Sequence, residues 1–324
     1  MKDLTAAGGE RTSSASPSGY VARLAAPAFV AVSAVFHYLG PAFAVLLFAR
    51  LDVFGVTWLR IASAALVFAV WRRPWRLLRR LTAAQHRVLL ALGVVLAVMN
   101  TTFYLAIARL PLATVGSIEF LGAIILAAAG VRSLRNALSL GLAVAGVFTL
   151  TNIRLAGAPL GFGFAFANCA LFMLYVTLGH RVANTGPRDG PQWAGVDQLG
   201  AAMLIAAVVT TPLCLVGAAP AFEHPDWLLA GVAVGVCSSV IPYVTDQLAM
   251  ARLRRATFAL MLSILPASAM VIGLLVLAQL PTVHDLLGLA LVTVAVAIHQ
   301  QPSLKFDIDR GESECSTSGS ARPV

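Results

Sequence analysis

The sequence predicts an all-α integral membrane protein with ten transmembrane helices, arranged as two inverted five-helix repeats. Three observations support this fold class. Hydrophobic residues make up 59% of the 324 residues and charged residues only 11%, whereas soluble domains carry about a quarter charged residues. Basic residues recur in alternate gaps between apolar segments, and one motif appears twice. A bilayer can solvate this much apolar surface, and a soluble core of this length could not.

Ten apolar segments underlie the predicted span count. A helix needs about 20 mainly apolar residues, within a range of roughly 17–25, to cross the hydrocarbon of a bilayer. The segments that fit are 24–48, 55–71, 88–108, 111–130, 134–152, 158–179, 196–217, 227–250, 256–278 and 283–300. The repeats are expected at 23–153 and 154–301, and the polar ends 1–22 and 302–324 are expected to be flexible cytoplasmic tails.

The arginines predict the orientation. The loops after spans 2, 4, 6 and 8 contain Arg72, Arg73, Arg76, Arg79, Arg80, Arg87, Arg132, Arg135, Arg181, Arg188, Arg252, Arg254 and Arg255. Arg50, Arg109 and Arg154 fall on the other side. Because cytoplasmic loops carry an excess of Lys and Arg, both termini are expected in the cytoplasm of a prokaryote, with the chain in its plasma (inner) membrane. Orientation explains the net charge of +9, so nucleic acid is not an expected partner.

An internal match predicts the repeat. Residues 104–114 read YLAIARLPLAT and residues 247–257 read QLAMARLRRAT, with seven of eleven positions identical at an offset of 143. The first copy joins spans 3 and 4 and the second joins spans 8 and 9, which divides the chain into halves of five spans. Because five is odd, the halves insert with opposite topology. Such halves give two similar states, each open to one side, with a substrate near the midplane. The other interpretations of an inverted repeat are a channel or a scaffold.

Short motifs in a fixed order carry a family resemblance. They are GVTWLR at 55–60, RPWR at 73–76, Met99-Asn100 with FYLA at 103–106, Glu119-Phe120, IPY at 241–243 and Arg252-Leu253. Over roughly 25–300 the chain resembles the EamA-type branch of the drug/metabolite transporter superfamily, and within it the threonine/homoserine exporters. The resemblance implies ten spans in two repeats and the export of an amino acid.

The chain also departs from that pattern. Leu265 and Gln279 stand where the exporters tend to have glutamate, and Ala278 stands where the family usually has glycine. A proline of span 4 is replaced by Ala123, and the acidic residue of span 8 is Asp246 rather than glutamate. Two carboxylates are therefore missing, which weakens the inference to threonine and to a coupling mechanism but leaves the fold intact.

Charged residues within spans are functional candidates, because a charge at mid-membrane costs about 2.5–3.5 kcal/mol on insertion scales. Glu119, near the middle of span 4, is expected either to bind a substrate ammonium or to take up and release a proton; the alternative is a structural carboxyl group. Arg60 in span 2 either holds a substrate carboxylate in a two-pronged fork, pairs with Glu119 or extends to the interface. Asp246 in span 8 either gates the cytoplasmic mouth or balances Arg252.

Neutral polar residues complete the predicted binding site. His37 and Tyr38 lie in span 1 just before Gly40-Pro41, where a proline frees a backbone carbonyl that something must satisfy. The remaining candidates are Asn100, Asn168, Tyr175 and Tyr243. Each either lines the cavity or ties helices together.

The sequence thus predicts a secondary-active transporter that exports amino acids or similar small metabolites, threonine/homoserine-like, in exchange for protons. It contains no ATP-binding motif, no metal-ligand cluster and no nucleophile–base pair, so no cofactor, metal or enzymatic activity is expected. The alternatives are efflux of a drug or another metabolite, and a non-transporting membrane scaffold or sensor partner. The expected partners are a small-molecule substrate, the lipid bilayer and protons, and the sequence leaves the oligomeric state open.

Overall fold

A computed structural model describes residues 17–79, 81–128, 133–152, 158–183, 194–253, 258, 261 and 264–298. Over these residues the chain is helical, with short connections and no strand. The helices are α1 Pro17–Leu47, α2 Val53–Arg72, α3 Trp75–Leu78, α4 Ala83–Ile107, α5 Leu112–Ala128, α6 Leu134–Asn152, α7 Pro159–Ala183, α8 Ala194–Ala218, α9 Pro225–Gly235, α10 Ile241–Met250, α11 Ile264–Leu277 and α12 Val283–Ile298.

The helices agree with the predicted all-α membrane class. Each of the ten predicted segments contains helical residues in the described ranges. Within the described ranges, six stretches are long and apolar enough to cross a membrane: Ala28–Leu47, Val53–Arg72, Ala83–Ile107, Pro159–Val182, Gly195–Phe222 and Pro225–Met250. Four apolar helices are shorter: Leu112–Leu126, Leu134–Thr149, Ile264–Leu277 and Val283–Ala295. The chain is therefore a helical membrane protein, and the count of ten spans stays a prediction.

The bundle buries a set of polar side chains within a mainly apolar core and exposes large apolar side chains on its surface. α2 packs along α8, α4 packs against α7 and α8, α1 packs against α10 and α11, α5 packs against α7 and α11, and α6 packs against α12. Large apolar side chains such as Leu66, Leu213 and Val216 are exposed, whereas Tyr38, Tyr104, Tyr175 and Tyr243 are fully buried. A helix bundle whose exterior is solvated by lipid has this distribution.

α2 approaches α8 and α9 closely because small residues line the contact. A Cβ atom on Gly55 would lie 2.0 Å from the carbonyl oxygen of Gly217. A Cβ atom on Gly235 would lie 1.8 Å from the Ser63 hydroxyl oxygen. Small residues at such crossings let helix backbones meet directly, which is how helices associate within a bilayer. These contacts fix the position of α2, and therefore of Arg60.

Two of the unusual residues named above have a structural role at the end of α11. Ala278 has a φ of 51°, a left-handed conformation that favours glycine. The next backbone N–H, of Gln279, then donates to the Gly273 carbonyl at 3.0 Å. The Gln279 side-chain oxygen accepts from the Leu112 N–H at 3.2 Å, which caps the first residue of α5. This contact fixes the start of the helix that carries Glu119.

The close contact of α2 with α8 predicts a large effect for a single methyl group. Gly55→Ala should lower the free energy of unfolding by about 1–3 kcal/mol, because the added atom overpacks the contact. The matched control is Gly163→Ala in α7, where a Cβ atom meets no neighbouring atom within 4 Å. That variant should be neutral or slightly more stable, since alanine favours helix over glycine by about 0.5–1 kcal/mol. Thermal unfolding in detergent micelles measures both, and equal effects would contradict the packing argument.

Candidate functional site

Buried polar side chains from six helices form one column, which we call the polar column. Its position can be followed along α1, where Ser33, His37 and Gly40 contact three successive levels. Ser33 bonds Asp246, His37 contacts Glu119, and Gly40 packs on Ser238 beside Arg60. At the helical rise of about 1.5 Å per residue, these levels lie roughly 6 and 4.5 Å apart.

The Glu119 level joins α1, α5 and α7. The Glu119 carboxylate is 2% exposed and accepts from the Tyr38 hydroxyl and the Asn168 amide nitrogen, each at 3.0 Å. His37 Nε2 lies 3.4 Å from the same carboxylate, and the His37 ring meets Phe103 and Phe172 edge-on. A buried carboxylate needs donors of this kind to offset its lost hydration. An imidazole next to a carboxylate is also suited to proton exchange.

The Arg60 level joins α2, α4 and the start of α10. The Arg60 side chain is 3% exposed. Its Nε donates to the Ser239 hydroxyl at 2.9 Å, and its Nη2 donates to the Ser238 carbonyl at 3.0 Å and to the Tyr243 hydroxyl at 3.4 Å. The guanidinium also lies over the Tyr104 ring, 4.9 Å from its centre. Among the described residues no carboxylate forms an ion pair with it, so the predicted pairing with Glu119 is not present.

A proline explains the bond to the Ser238 carbonyl. α9 and α10 are joined by a π-helical turn, Val236–Val240, and Pro242 is the second residue of α10. Pro242 has no N–H to donate to a carbonyl of this turn. In α-helical register that carbonyl belongs to Ser238, and in the π-helical register of Ile241, whose N–H bonds Val236, it belongs to Cys237. Arg60 supplies the missing donor from another helix. The guanidinium therefore donates to a backbone carbonyl in a turn that the proline leaves one donor short.

The Asp246 level joins α1, α7 and α10. Asp246 is buried and accepts from the Ser33 hydroxyl and, at 3.5 Å, from the Tyr175 hydroxyl. The Tyr175 ring lies 5.4 Å from the Tyr243 ring. The Tyr243 hydroxyl in turn donates to the Asn100 amide oxygen at 3.1 Å. This chain of contacts connects the Asp246 level to the Arg60 level.

Cavities lie towards both ends of α4, away from the column. One of about 470 Å³ is lined by Gln85, His180 and Gln198. The other, of about 210 Å³, is lined by Pro111, Gln279 and Asp285, among others. Because α4 starts beside the first and ends beside the second, its residues Asn100 and Tyr104 lie between them. The column thus lies between these two cavities, which are near opposite ends of α4.

All the predicted candidates lie in the polar column, and their roles stay predictions: His37, Tyr38, Arg60, Asn100, Glu119, Asn168, Tyr175, Tyr243 and Asp246. Sequence reasoning missed Ser33, Tyr104, Ser238 and Ser239. Two of these had a usable signal. Ser33 stands one helical turn before His37 on the same face, and Ser238 stands four residues before Pro242, in the turn that the proline leaves one donor short.

The role of Arg60 as a donor to this carbonyl predicts a coupling with Pro242. Arg60→Met should lower the free energy of unfolding by about 1–3 kcal/mol, because it leaves buried acceptors unsatisfied. In a Pro242→Ala background a backbone N–H is restored, so the loss should be smaller by about 1 kcal/mol. Pro212, inside α8, gives the control Pro212→Ala, in which the loss should be undiminished. Denaturation of the single and double variants in micelles measures the coupling, and full additivity with Pro242→Ala would contradict it.

Comparison with known proteins gives consistent similarities. The profile of the EamA-like transporter family matches residues 160–299. The threonine/homoserine exporter RhtA of Salmonella typhimurium (strain SL1344) is 32% identical over 278 residues, covering 82% of this chain and 90% of that protein. The exporter of the same name from Escherichia coli (strain K12) is 31% identical over 263 residues, covering 79% and 84%. One crystal structure superposes with a TM-score of 0.57 at 18% identity, covering 86% of this chain and 96% of that chain, which indicates a shared fold.

Proposed function

Because the chain belongs to the EamA-like transporter family, we propose that it is a secondary-active exporter of amino acids of the threonine/homoserine kind, driven by exchange with protons. The observation that carries the proposal is the buried Glu119 carboxylate, held by donors from two other helices. A group of this kind can hold either a proton or an ammonium ion. The relatives that match over most of the chain are named as threonine/homoserine exporters, which supports the substrate class.

We propose further that 23–153 and 154–301 are inverted repeats with ten spans. Two matching contacts support this. Arg109 donates to the Leu105 carbonyl and Arg252 to the Leu248 carbonyl, both at 2.8 Å. Arg109 also lies over a ring of α7 and Arg252 over a ring of α1, 5.3 and 5.2 Å from the ring centres. The arginines and the leucines are each 143 residues apart, the offset of the sequence repeat.

The helix contacts support the same symmetry. Exchanging the halves replaces α1 by α7, α2 by α8, α4 by α9 and α10, and α5 by α11. The contact of α1 with α10 then becomes that of α7 with α4, and the contact of α1 with α11 becomes that of α7 with α5. The contact of α2 with α9 likewise becomes that of α8 with α4. All these pairs occur, as a two-fold relation requires.

A hydrogen bond marks the proposed two-fold axis. Asn100 and Tyr243 are 143 residues apart and bond each other, and residues related by a two-fold axis can touch only beside that axis. The C-terminal end of α4 lies by Phe48, just after the end of α1, and that of α10 lies by Phe29, near the start of the apolar span Ala28–Leu47 of α1. α4 and α10 therefore run in opposite directions, as inverted repeats require. The polar column lies on this axis, where such transporters bind their substrates.

The arginine distribution supports an orientation with both termini in the cytoplasm of a prokaryotic cell. In that orientation the Asp246 level lies on the cytoplasmic side of the Glu119 level and the Arg60 level lies towards the outside. Asp246 then acts in the inner gate, because opening there separates α10 from Ser33 of α1 and from Tyr175 of α7. The substrate is released outwards, and a proton then binds Glu119 for the return step. Because both occupants use Glu119, the substrate and the proton exclude each other.

A flux assay tests the substrate class. Proteoliposomes holding the purified protein should exchange internal labelled L-threonine for external unlabelled amino acid, faster than empty liposomes. The panel should include L-homoserine, other neutral amino acids and cationic dyes. Flux of dyes without flux of any amino acid would favour drug efflux. Absence of all flux from a folded preparation would favour a scaffold or sensor partner.

Glu119 should connect transport to the proton gradient. Glu119→Gln keeps the size of the side chain but removes its charge, so threonine flux should lose its acceleration by an imposed pH gradient. The matched control is Glu223→Gln, at an exposed carboxylate outside the column, which should respond as the unmodified protein does. The ratio of initial rates with and without the gradient is the measurement. An unchanged ratio in Glu119→Gln would remove this residue from the coupling role.

A further inference from the structure

The polar atoms of the column that lack partners are of two kinds. Beside Glu119, the Asn168 side-chain oxygen is a buried acceptor with no donor. Beside Arg60, the guanidinium and the hydroxyls of Tyr104 and Ser238 contact one another, but Arg60 Nη1 and both hydroxyls have no acceptor outside this group. All four side chains are at least nine-tenths buried. The free acceptor and the free donors thus lie at different levels of the column.

Buried polar groups without partners cost free energy, and most native structures satisfy nearly all of them. A group of four in one column therefore indicates a ligand that would satisfy them. The acceptor lies next to a carboxylate and the donors surround a guanidinium. The ligand that fits carries a positively charged donor at one end and a negatively charged acceptor at the other.

The orientation of the Asn168 amide is determined by its neighbour. Its nitrogen donates to Glu119 Oε1 at 3.0 Å, and the reversed amide would place two acceptors against each other. The oxygen is therefore the free atom. Together with Glu119 it offers acceptors to an ammonium group, which has three donors and accepts no hydrogen bond.

Arg60 is available in part only. Its Nε and Nη2 are used by Ser239, Ser238 and Tyr243, so the two-pronged grip expected from the sequence would require breaking these bonds. Nη1 remains, and the hydroxyls of Tyr104 and Ser238 lie in the same level. A carboxylate can accept from Nη1 and from a hydroxyl while Arg60 keeps its bond to the Ser238 carbonyl.

We propose that the column binds the substrate as a zwitterion, with its ammonium at Glu119 and Asn168 and its carboxylate at Arg60, Tyr104 and Ser238. The two levels lie about 4.5 Å apart along α1, which is the scale of one α-amino acid. This proposal rests on the proposed amino-acid export and adds that the ammonium and the carboxylate of the substrate are bound by separate sets of residues. Amines without a carboxylate leave Arg60 and its donors unpaired, and acids without an amine leave Glu119 opposed by no cation.

Competition against labelled L-threonine in proteoliposomes tests the proposal. Threonine methyl ester lacks the carboxylate charge, and 3-hydroxybutanoate lacks the ammonium. Each should inhibit threonine flux at least about tenfold more weakly than unlabelled threonine does, which corresponds to one decade in dissociation constant. Inhibition by the ester as strong as that by threonine would overturn the carboxylate site while leaving amino-acid export standing. Absence of amino-acid flux in the unmodified protein would instead contradict the proposed function itself.

Paired variants separate recognition from folding. Tyr104→Phe and Ser238→Ala should raise the KM for threonine and reduce discrimination against the ester, with discrimination against 3-hydroxybutanoate unchanged. Asn168→Leu should produce the opposite pattern. The control Ser139→Ala removes a buried hydroxyl that donates to a carbonyl of α12, away from the column. It should change discrimination against neither the ester nor 3-hydroxybutanoate. Because misfolding lowers all fluxes together, it cannot produce the crossed pattern, and loss of both discriminations in every variant would overturn the assignment.

Discussion

The bond from Arg60 to the Ser238 carbonyl is the contact on which the polar column depends. A charged side chain within a span costs about 2.5–3.5 kcal/mol on insertion scales, and a carbonyl freed by proline within a span also needs a partner. The hydrogen bond between the Arg60 guanidinium and the Ser238 carbonyl reduces both costs. The guanidinium needs no acidic partner for this, and among the described residues it has none. Its positive charge therefore has no ion-pair partner among the described residues.

The absence of an ion pair with Arg60 determines what the Glu119 level can do. Had Glu119 paired with Arg60, both charges would be neutralised and the column would be a structural tie. Instead Glu119 accepts from Tyr38 and Asn168 and faces His37, so each charge keeps capacity for a ligand. The small residues between α2 and α9 matter here, because Gly235 allows the backbone of α2 to approach the π-helical turn. Without that approach, Arg60 could not reach Ser238.

The sequence predicts the membrane class and the helices well, because the length of the apolar segments and the placement of the arginines depend on the bilayer alone. It also identifies Glu119, Arg60 and Asp246, because charges in apolar spans are conspicuous. It cannot predict which groups pair, because partners such as Ser33 and Asp246 lie 213 residues apart and meet only through helix packing. Ala278 shows a further limit. Its left-handed backbone explains why glycine suits the position, yet no local pattern in the sequence reveals that conformation.

The proposed symmetry belongs to the scaffold and not to the charges. Arg60 lies in α2 and Glu119 in α5, but their counterparts α8 and α11 contain no arginine and no acidic residue, respectively. Likewise Tyr104 has Gln247 at the repeat offset of 143, and both are buried with polar atoms that lack partners. Similar halves can produce two states of comparable free energy, while a single set of charges binds the substrate in one orientation in both. The direction of net transport then follows from the gradients across the membrane and not from the site.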